Sequence, residues 1–219
     1  MEFVLLALPA LLSIINPLGG AFIFLGATEG MPRALRNRLA RWVAIHGFVL
    51  LNVSLYVGAY VLEFFGISMP VLRVAGGIII ATTGWGLLHA DDRPQADRAR
   101  QLAPGRPPSQ MAFYPLTMPL TPGPGTISVA ISLGTNRPPG AEGLLRFALA
   151  ATFTTGFICA LIYLAYRSAE RVGRAIGPTG TTILLRLSAF LLFCIGIQVF
   201  WNGVHELFGI LLEEARQAG

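Results

Sequence analysis

The sequence predicts an all-α integral membrane protein with six transmembrane helices, arranged as a 3+3 inverted repeat in which spans 1 and 4 are discontinuous. Of the 219 residues, 54% are hydrophobic and 12% are charged, whereas a soluble domain carries about 25% charged residues. Long uncharged stretches alternate with arginine-rich loops, which is typical of a chain that crosses the membrane several times. Proline and glycine interrupt two of these stretches, and the functional prediction depends on those two breaks.

Six apolar segments are long enough to cross a bilayer, since about 20 apolar residues do so. They are residues 3–28, 42–62, 70–88, 111–135, 147–166 and 181–204. A charged, proline-rich segment separates the first three from the last three. We therefore predict a first three-span repeat at 1–90, a cytoplasmic linker at 91–110 and a second three-span repeat at 111–219.

The placement of arginine predicts how the chain is oriented. The loops after the first, third and fifth spans hold eleven arginines, namely Arg33, Arg36, Arg38, Arg41, Arg93, Arg98, Arg100, Arg106, Arg167, Arg171 and Arg174. The opposite side holds four, namely Arg73, Arg137, Arg146 and Arg216. Because cytoplasmic loops carry the excess of basic residues, we expect both termini outside the cytoplasm. With three spans in each half, the second half is then inverted relative to the first.

The first break lies inside span 1, where Asn16-Pro17 is followed by Gly19-Gly20. Proline removes a backbone donor and glycine weakens the preference for helix. Lipid cannot satisfy bare backbone groups, so such a break must face protein or a polar cavity. Two roles stay open for Asn16: its amide binds substrate or holds the unwound backbone, or it only caps the second half-helix.

The second break lies inside span 4, where residues 119–125 read PLTPGPG. The N-terminus of a half-helix presents free N–H groups to a carboxylate, and exposed carbonyls at the opposing ends can take an ammonium group. Matched breaks in two halves are typical of a transporter site, and helix packing is the alternative for the glycines. The predicted substrate-binding residues are Asn16, Pro17, Gly19, Gly20, Thr121, Gly123, Pro124, Gly125, Thr126 and Ser128.

Three ionisable side chains in the spans are candidates for further roles. Arg73 and Arg186 each stand just inside the last span of their half. Each has either a gating or structural role, or a side chain that only snorkels to the interface. Arg73 is also within reach of Glu63 across a short loop. His46 lies well inside span 2. The two alternatives for its side chain are a role in proton coupling and simple packing.

Three stretches resemble the signature stretches of the MarC family: NPLG in span 1, RVAGGI at 73–78 and PLTMPLTPGPGTI at 115–127. That family consists of six-span bacterial and archaeal inner-membrane proteins, and some members are described as transporters of small neutral amino acids. The chain departs from the family pattern at Phe22, which is usually proline, and at Pro122, which is usually a small residue. The resemblance implies a bacterial inner-membrane protein, and both termini are then periplasmic.

Breaks and resemblance together predict a secondary transporter of small, neutral, zwitterionic amino acids that works by alternating access in the lipid bilayer. A proton or Na⁺ is the expected coupling ion. A non-transporting scaffold or sensor, and a channel for a small solute, are the alternatives. The spans carry no catalytic constellation or metal-ligand cluster, so we expect no enzymatic activity, no catalytic residues, no metal, no cofactor and no nucleic-acid partner. A homo-oligomer is left open.

Overall fold

The computed structural model describes residues 2–28, 30–89, 108–118 and 121–217, which form helices and turns and no strand. The first helices are α1 (Glu2–Ile15), α2 (Pro17–Ala27), α3 (Arg33–Phe64) and α4 (Met69–Leu88). A helical turn at Pro108–Met111 leads into a π-helical segment, Ala112–Thr117, and then into α5 (Pro124–Gly134). The last helical region, Ala141–Gln217, is interrupted at Gly177, which separates α6 (Ala141–Gly177) from α7 (Thr179–Glu213).

Five segments of the described chain are long and apolar enough to cross a membrane. They are Phe3–Ala27, which combines α1 and α2, together with α3, α4, α6 and α7. The predicted class of integral all-α membrane protein is therefore confirmed. The segment predicted as span 4 is not one continuous helix, because its apolar helix α5 has only 11 residues and follows the π-helical segment. Residues 91–107 of the predicted linker lie outside the described residues.

Two helices extend beyond the apolar segments that marked them. α3 begins at Arg33, and α6 continues past Tyr166 to Gly177. Hydropathy marks only the apolar part of a helix, whereas arginine and glutamate continue a helix well outside that part. Near these ends, Arg36 of α3 binds Glu170 of α6 at 2.6 Å, so the extensions are joined to each other.

α3 and α6 form an antiparallel pair at the centre of the main core. Asn52 of α3 donates a hydrogen bond to Thr155 of α6 at 3.0 Å, and Tyr56 lies 2.9 Å from Thr152 one turn further along. The core between these helices, α1 and α2 is apolar, with fully buried side chains that include Leu11, Phe24, Leu51, Leu55, Ile158 and Ile162. This arrangement holds α2 against α6.

α4 and α7 form a second antiparallel pair, in which the backbones approach closely. Gly77 of α4 faces the backbone of Phe200, and a Cβ on Gly84 would lie 2.5 Å from the backbone nitrogen of Phe193. Small residues allow such approach between helices in a membrane. A small cluster of Ile14, Ile80 and Leu192 joins this pair to α1.

Candidate functional site

The first break is the single residue Asn16, which lies between α1 and α2. It has a left-handed backbone conformation (φ 46°, ψ 68°), and no other non-glycine residue in the described ranges has a positive φ. Its side-chain oxygen accepts a hydrogen bond from the Gly19 N–H at 3.1 Å. Pro17 is the first residue of α2, where a missing N–H costs no intrahelical bond. The predicted capping role is confirmed, and contact of Asn16 with substrate stays a prediction.

Gly19 and Gly20 lie inside α2, so the prediction that they interrupt the helix is wrong. The Gly20 N–H donates to the Asn16 carbonyl at 2.9 Å, which is the regular helical bond. Glycine permits a break in a helix but does not force one. Here it allows α2 and α6 to approach each other closely. A Cβ on Gly20 would lie 2.7 Å from the hydroxyl oxygen of Tyr166 on α6.

The second break is longer and joins the π-helical segment to α5. Tyr114 leaves the helical conformation within that segment (φ −128°, ψ 120°). Thr121 and Pro122 form bends, Gly123 is extended at the N-cap position and Pro124 begins α5. π-helical turns are frequent at functional sites, because they displace side chains from the regular helical positions. Residues 119–120 of this break lie outside the described part of the chain.

Three predicted residues of α5 pack into the protein rather than onto lipid. Gly125 faces the Ile80 side chain of α4, and Ser128 faces Gly76 of the same helix. Thr126 is also buried. The contacts of Gly125 and Ser128 are those of helix packing, which was the predicted alternative for Gly125. Contact of either residue with substrate stays a prediction.

Tyr166 of α6 lies between the first turn of α2 and the second break. Its hydroxyl oxygen lies 2.7 Å from Thr121 Oγ1 in the second break and faces Gly20 next to the first. Its ring stacks on Phe24 of α2 with centroids 4.7 Å apart, and the residue is only 4% exposed. The sequence prediction missed Tyr166, because it stands beside Arg167 at the end of a span, where tyrosine is common at the membrane interface.

His46 lies against the N-terminal half of the second break. Its ring centroid is 5.5 Å from that of Trp42 and 5.6 Å from that of Phe113, which belongs to the π-helical segment. The His46 Nδ1 atom is buried and has no hydrogen-bond partner among the described residues. Next to it, Gly47 packs against Pro122. These contacts connect His46 to the second break, and proton coupling stays a prediction.

Arg73 and Arg186 have different surroundings. Arg73 donates hydrogen bonds to Ser132 of α5 at 3.1 and 3.0 Å, and it forms an ion pair with Glu206 of α7. The expected pairing with Glu63 is therefore wrong, because the antiparallel packing of α4 on α7 places Glu206 beside Arg73. Arg73 joins three helices, which fits a structural role, whereas Arg186 is exposed.

Comparison with known proteins identifies the family. The family model described as MarC family integral membrane protein matches residues 1–208. The inner membrane protein MarC of Escherichia coli strain K12 is 35% identical over 207 residues, which cover 92% of this chain and 94% of the relative. The protein of the same name from Shigella flexneri matches equally well. No solved structure matches the chain. The chain belongs to the MarC family of integral membrane proteins.

Proposed function

We propose that this protein is a secondary transporter that carries small neutral amino acids across the inner membrane by alternating access. The observation that carries the proposal is that one side chain lies between the two interrupted segments, since the Tyr166 hydroxyl lies between Gly20, in the first turn of α2, and Thr121 in the second break. Transporters commonly build their substrate sites where discontinuous helices meet. A scaffold or sensor has no need for two interrupted helices at the same place.

The groups at the two breaks favour a small substrate without net charge. Asn16, Thr121 and Tyr166 supply polar atoms and no formal charge. The N-termini of α2 and α5 add positive dipole ends, which stabilise a carboxylate. A buried net charge without a partner is costly, so a zwitterion fits better than an anion or a cation. The short distance between Gly20 and Tyr166 favours a small side chain on the substrate.

The proposal includes six spans in a 3+3 inverted repeat, with the π-helical segment and α5 together forming the fourth span. Two antiparallel pairs support this arrangement, since α3 packs on α6 and α4 packs on α7. These are the second and third spans of each proposed half. The excess of arginine on one side favours periplasmic termini. A proton or Na⁺ would supply the driving force.

Transport in proteoliposomes tests the proposal. We expect saturable uptake of labelled glycine, L-alanine and L-serine under a pH or Na⁺ gradient, with L-leucine and L-lysine as the large and the cationic control. Counterflow against unlabelled substrate would separate a carrier from a channel, because only a carrier exchanges its substrate. Absence of uptake, efflux and exchange with correctly folded protein would contradict the proposed function. Flux that does not saturate would favour the channel.

A further inference from the structure

We propose that two copies of this chain associate through the outward face of α7, and that Gln198 of each copy pairs with Gln198 of the other in the middle of the membrane. This face consists of six exposed side chains, spaced alternately four and three residues apart. They are Leu187, Leu191, Cys194, Gln198, Trp201 and His205, and we call them the α7 seam. Such spacing places side chains along the contact of two helices that cross at a small angle.

The α7 seam lies on the side of the helix that faces away from the rest of the protein, and Gln198 lies at the depth of the membrane centre. The opposite side of α7 packs on α4, where Gly77 faces Phe200 and Gly196 faces Ala81. α4 is a span of 20 residues, and these two contacts lie at its centre. Because Gln198 stands between Gly196 and Phe200 on α7, its side chain leaves the helix at that same depth.

The Gln198 amide is incompletely hydrogen-bonded at this depth. Its Nε2 atom donates to Oδ1 of Asn202, one turn further along α7, at 2.9 Å, which uses one of its two N–H protons. The second proton and the carbonyl oxygen have no partner in the described part of the chain. Lipid supplies neither a donor nor an acceptor, so leaving these groups bare costs free energy. The free donor and acceptor therefore indicate that protein covers this face.

An identical copy supplies the groups that this amide lacks. A primary amide is both donor and acceptor, so two facing glutamines can exchange two hydrogen bonds. Copies that insert with the same orientation are related by a twofold axis along the membrane normal, which places each seam residue opposite itself. Arg186 and Glu206 lie outside the α7 seam, so their charges do not face each other across this axis. One polar residue within a helix seam also fixes the register and the number of chains.

Cys194 makes the contact measurable by disulfide formation. It lies in the α7 seam one turn before Gln198, whereas Cys159 is buried. Membranes that contain the protein are oxidised with copper phenanthroline. We expect a disulfide-linked homodimer of the wild type and of Cys159→Ala, and none of Cys194→Ser. Val53→Cys in the Cys194→Ser background is the matched control, because Val53 is 51% exposed near the middle of the apolar part of α3. It should form no dimer.

The contribution of Gln198 is measured as the dissociation constant of the dimer. Energy transfer between subunits with different fluorescent tags is followed as the protein is diluted in liposomes. We expect Gln198→Leu to raise the dissociation constant by about three- to tenfold, since hydrogen bonds between membrane helices have modest strength. Thr82→Val should associate as wild type does, because the Thr82 hydroxyl is exposed on α4 but already donates to the Ile78 carbonyl at 2.8 Å.

Four results would overturn the proposal: no Cys194 disulfide in folded wild-type protein, a Cys194 disulfide with a different protein, equal crosslinking of Val53→Cys, or an unchanged dissociation constant in Gln198→Leu. Should Gln198→Leu fail to fold, Gln198→Cys in the Cys194→Ser background tests the same contact. The twofold axis places residue 198 opposite its own copy, so this variant should form a disulfide-linked dimer, and a variant that stays monomeric contradicts the pairing. These outcomes do not depend on the proposed transport function.

Discussion

At the scale of single residues, Asn16 combines two properties that α2 needs in order to begin. Its left-handed backbone is tolerated by asparagine and glycine far better than by other residues. Its side chain supplies an acceptor for the Gly19 N–H, which has no intrahelical partner in the first turn. Lipid offers no such acceptor. The start of the second half-helix therefore depends on this one side chain.

Replacing Asn16 separates these two properties. Asn16→Ala loses the cap and strains the backbone, so we expect its free energy of unfolding to fall by about 2 kcal/mol. Asn16→Gly loses the cap but keeps the backbone conformation, and its loss should be smaller by about 1 kcal/mol. Reversible unfolding of the purified variants in detergent measures both values. Equal stability of Asn16→Ala and wild type would argue against a stabilising cap.

His46 is the residue at which coupling can be tested directly. Its ring packs between Trp42 and Phe113, so we expect His46→Gln to retain substrate exchange and nearly all uptake driven by a pH gradient. Exchange and driven uptake of labelled L-alanine are compared in the same proteoliposomes. If driven uptake is lost while exchange survives, His46 carries the coupled proton.

At the scale of helices, the contact between α4 and α7 requires glycine at defined points. A Cβ on Gly77 would meet the backbone of Phe200, which cannot rotate away. Gly86 lies on the same helix, and a Cβ there would have no neighbour within 4 Å. The two glycines therefore form a matched pair, one in the contact and one outside it.

Alanine at these two positions should have opposite effects. Gly77→Ala forces the helices apart, and overpacking of this kind costs about 1–3 kcal/mol. Gly86→Ala should be neutral or should stabilise by up to about 1 kcal/mol, since alanine favours helix over glycine. The melting temperatures of the two purified variants provide the measurement. A Gly77→Ala variant as stable as Gly86→Ala would contradict the close backbone contact.

The breaks could be predicted from sequence because proline acts on its own helix. Asn16-Pro17 marked the first break correctly, whereas Gly19-Gly20 did not, since a glycine inside a helix can equally serve packing. Contacts between distant segments leave no local pattern. Tyr166 was missed for that reason. For Arg73, the sequence suggested only the nearby Glu63 as a partner, whereas the partner is Glu206, 133 residues away.

At the scale of the whole molecule, the distribution of charge predicts the orientation. The arginine-rich side includes the ends of α3 and α6, where Arg36 binds Glu170. If that side is cytoplasmic, both termini are periplasmic. A C-terminal reporter that fluoresces only in the cytoplasm should then stay dark, while a phosphatase fusion that is active only in the periplasm should be active. The reverse pattern would place the C-terminus in the cytoplasm and would contradict the proposed orientation.

The affinity of the folded Gly20→Ala variant for L-alanine tests most directly whether both breaks form one substrate site. The added methyl group would lie 2.7 Å from the Tyr166 hydroxyl and must displace it, without changing the charge or apolarity of the span. We expect binding to weaken by about 5- to 150-fold if the displaced hydroxyl costs the bound state about 1–3 kcal/mol. Gly86→Ala, with open space around the new methyl group, should bind as wild type does. Wild-type affinity in a Gly20→Ala variant with an unchanged melting temperature would contradict a substrate site between the two breaks.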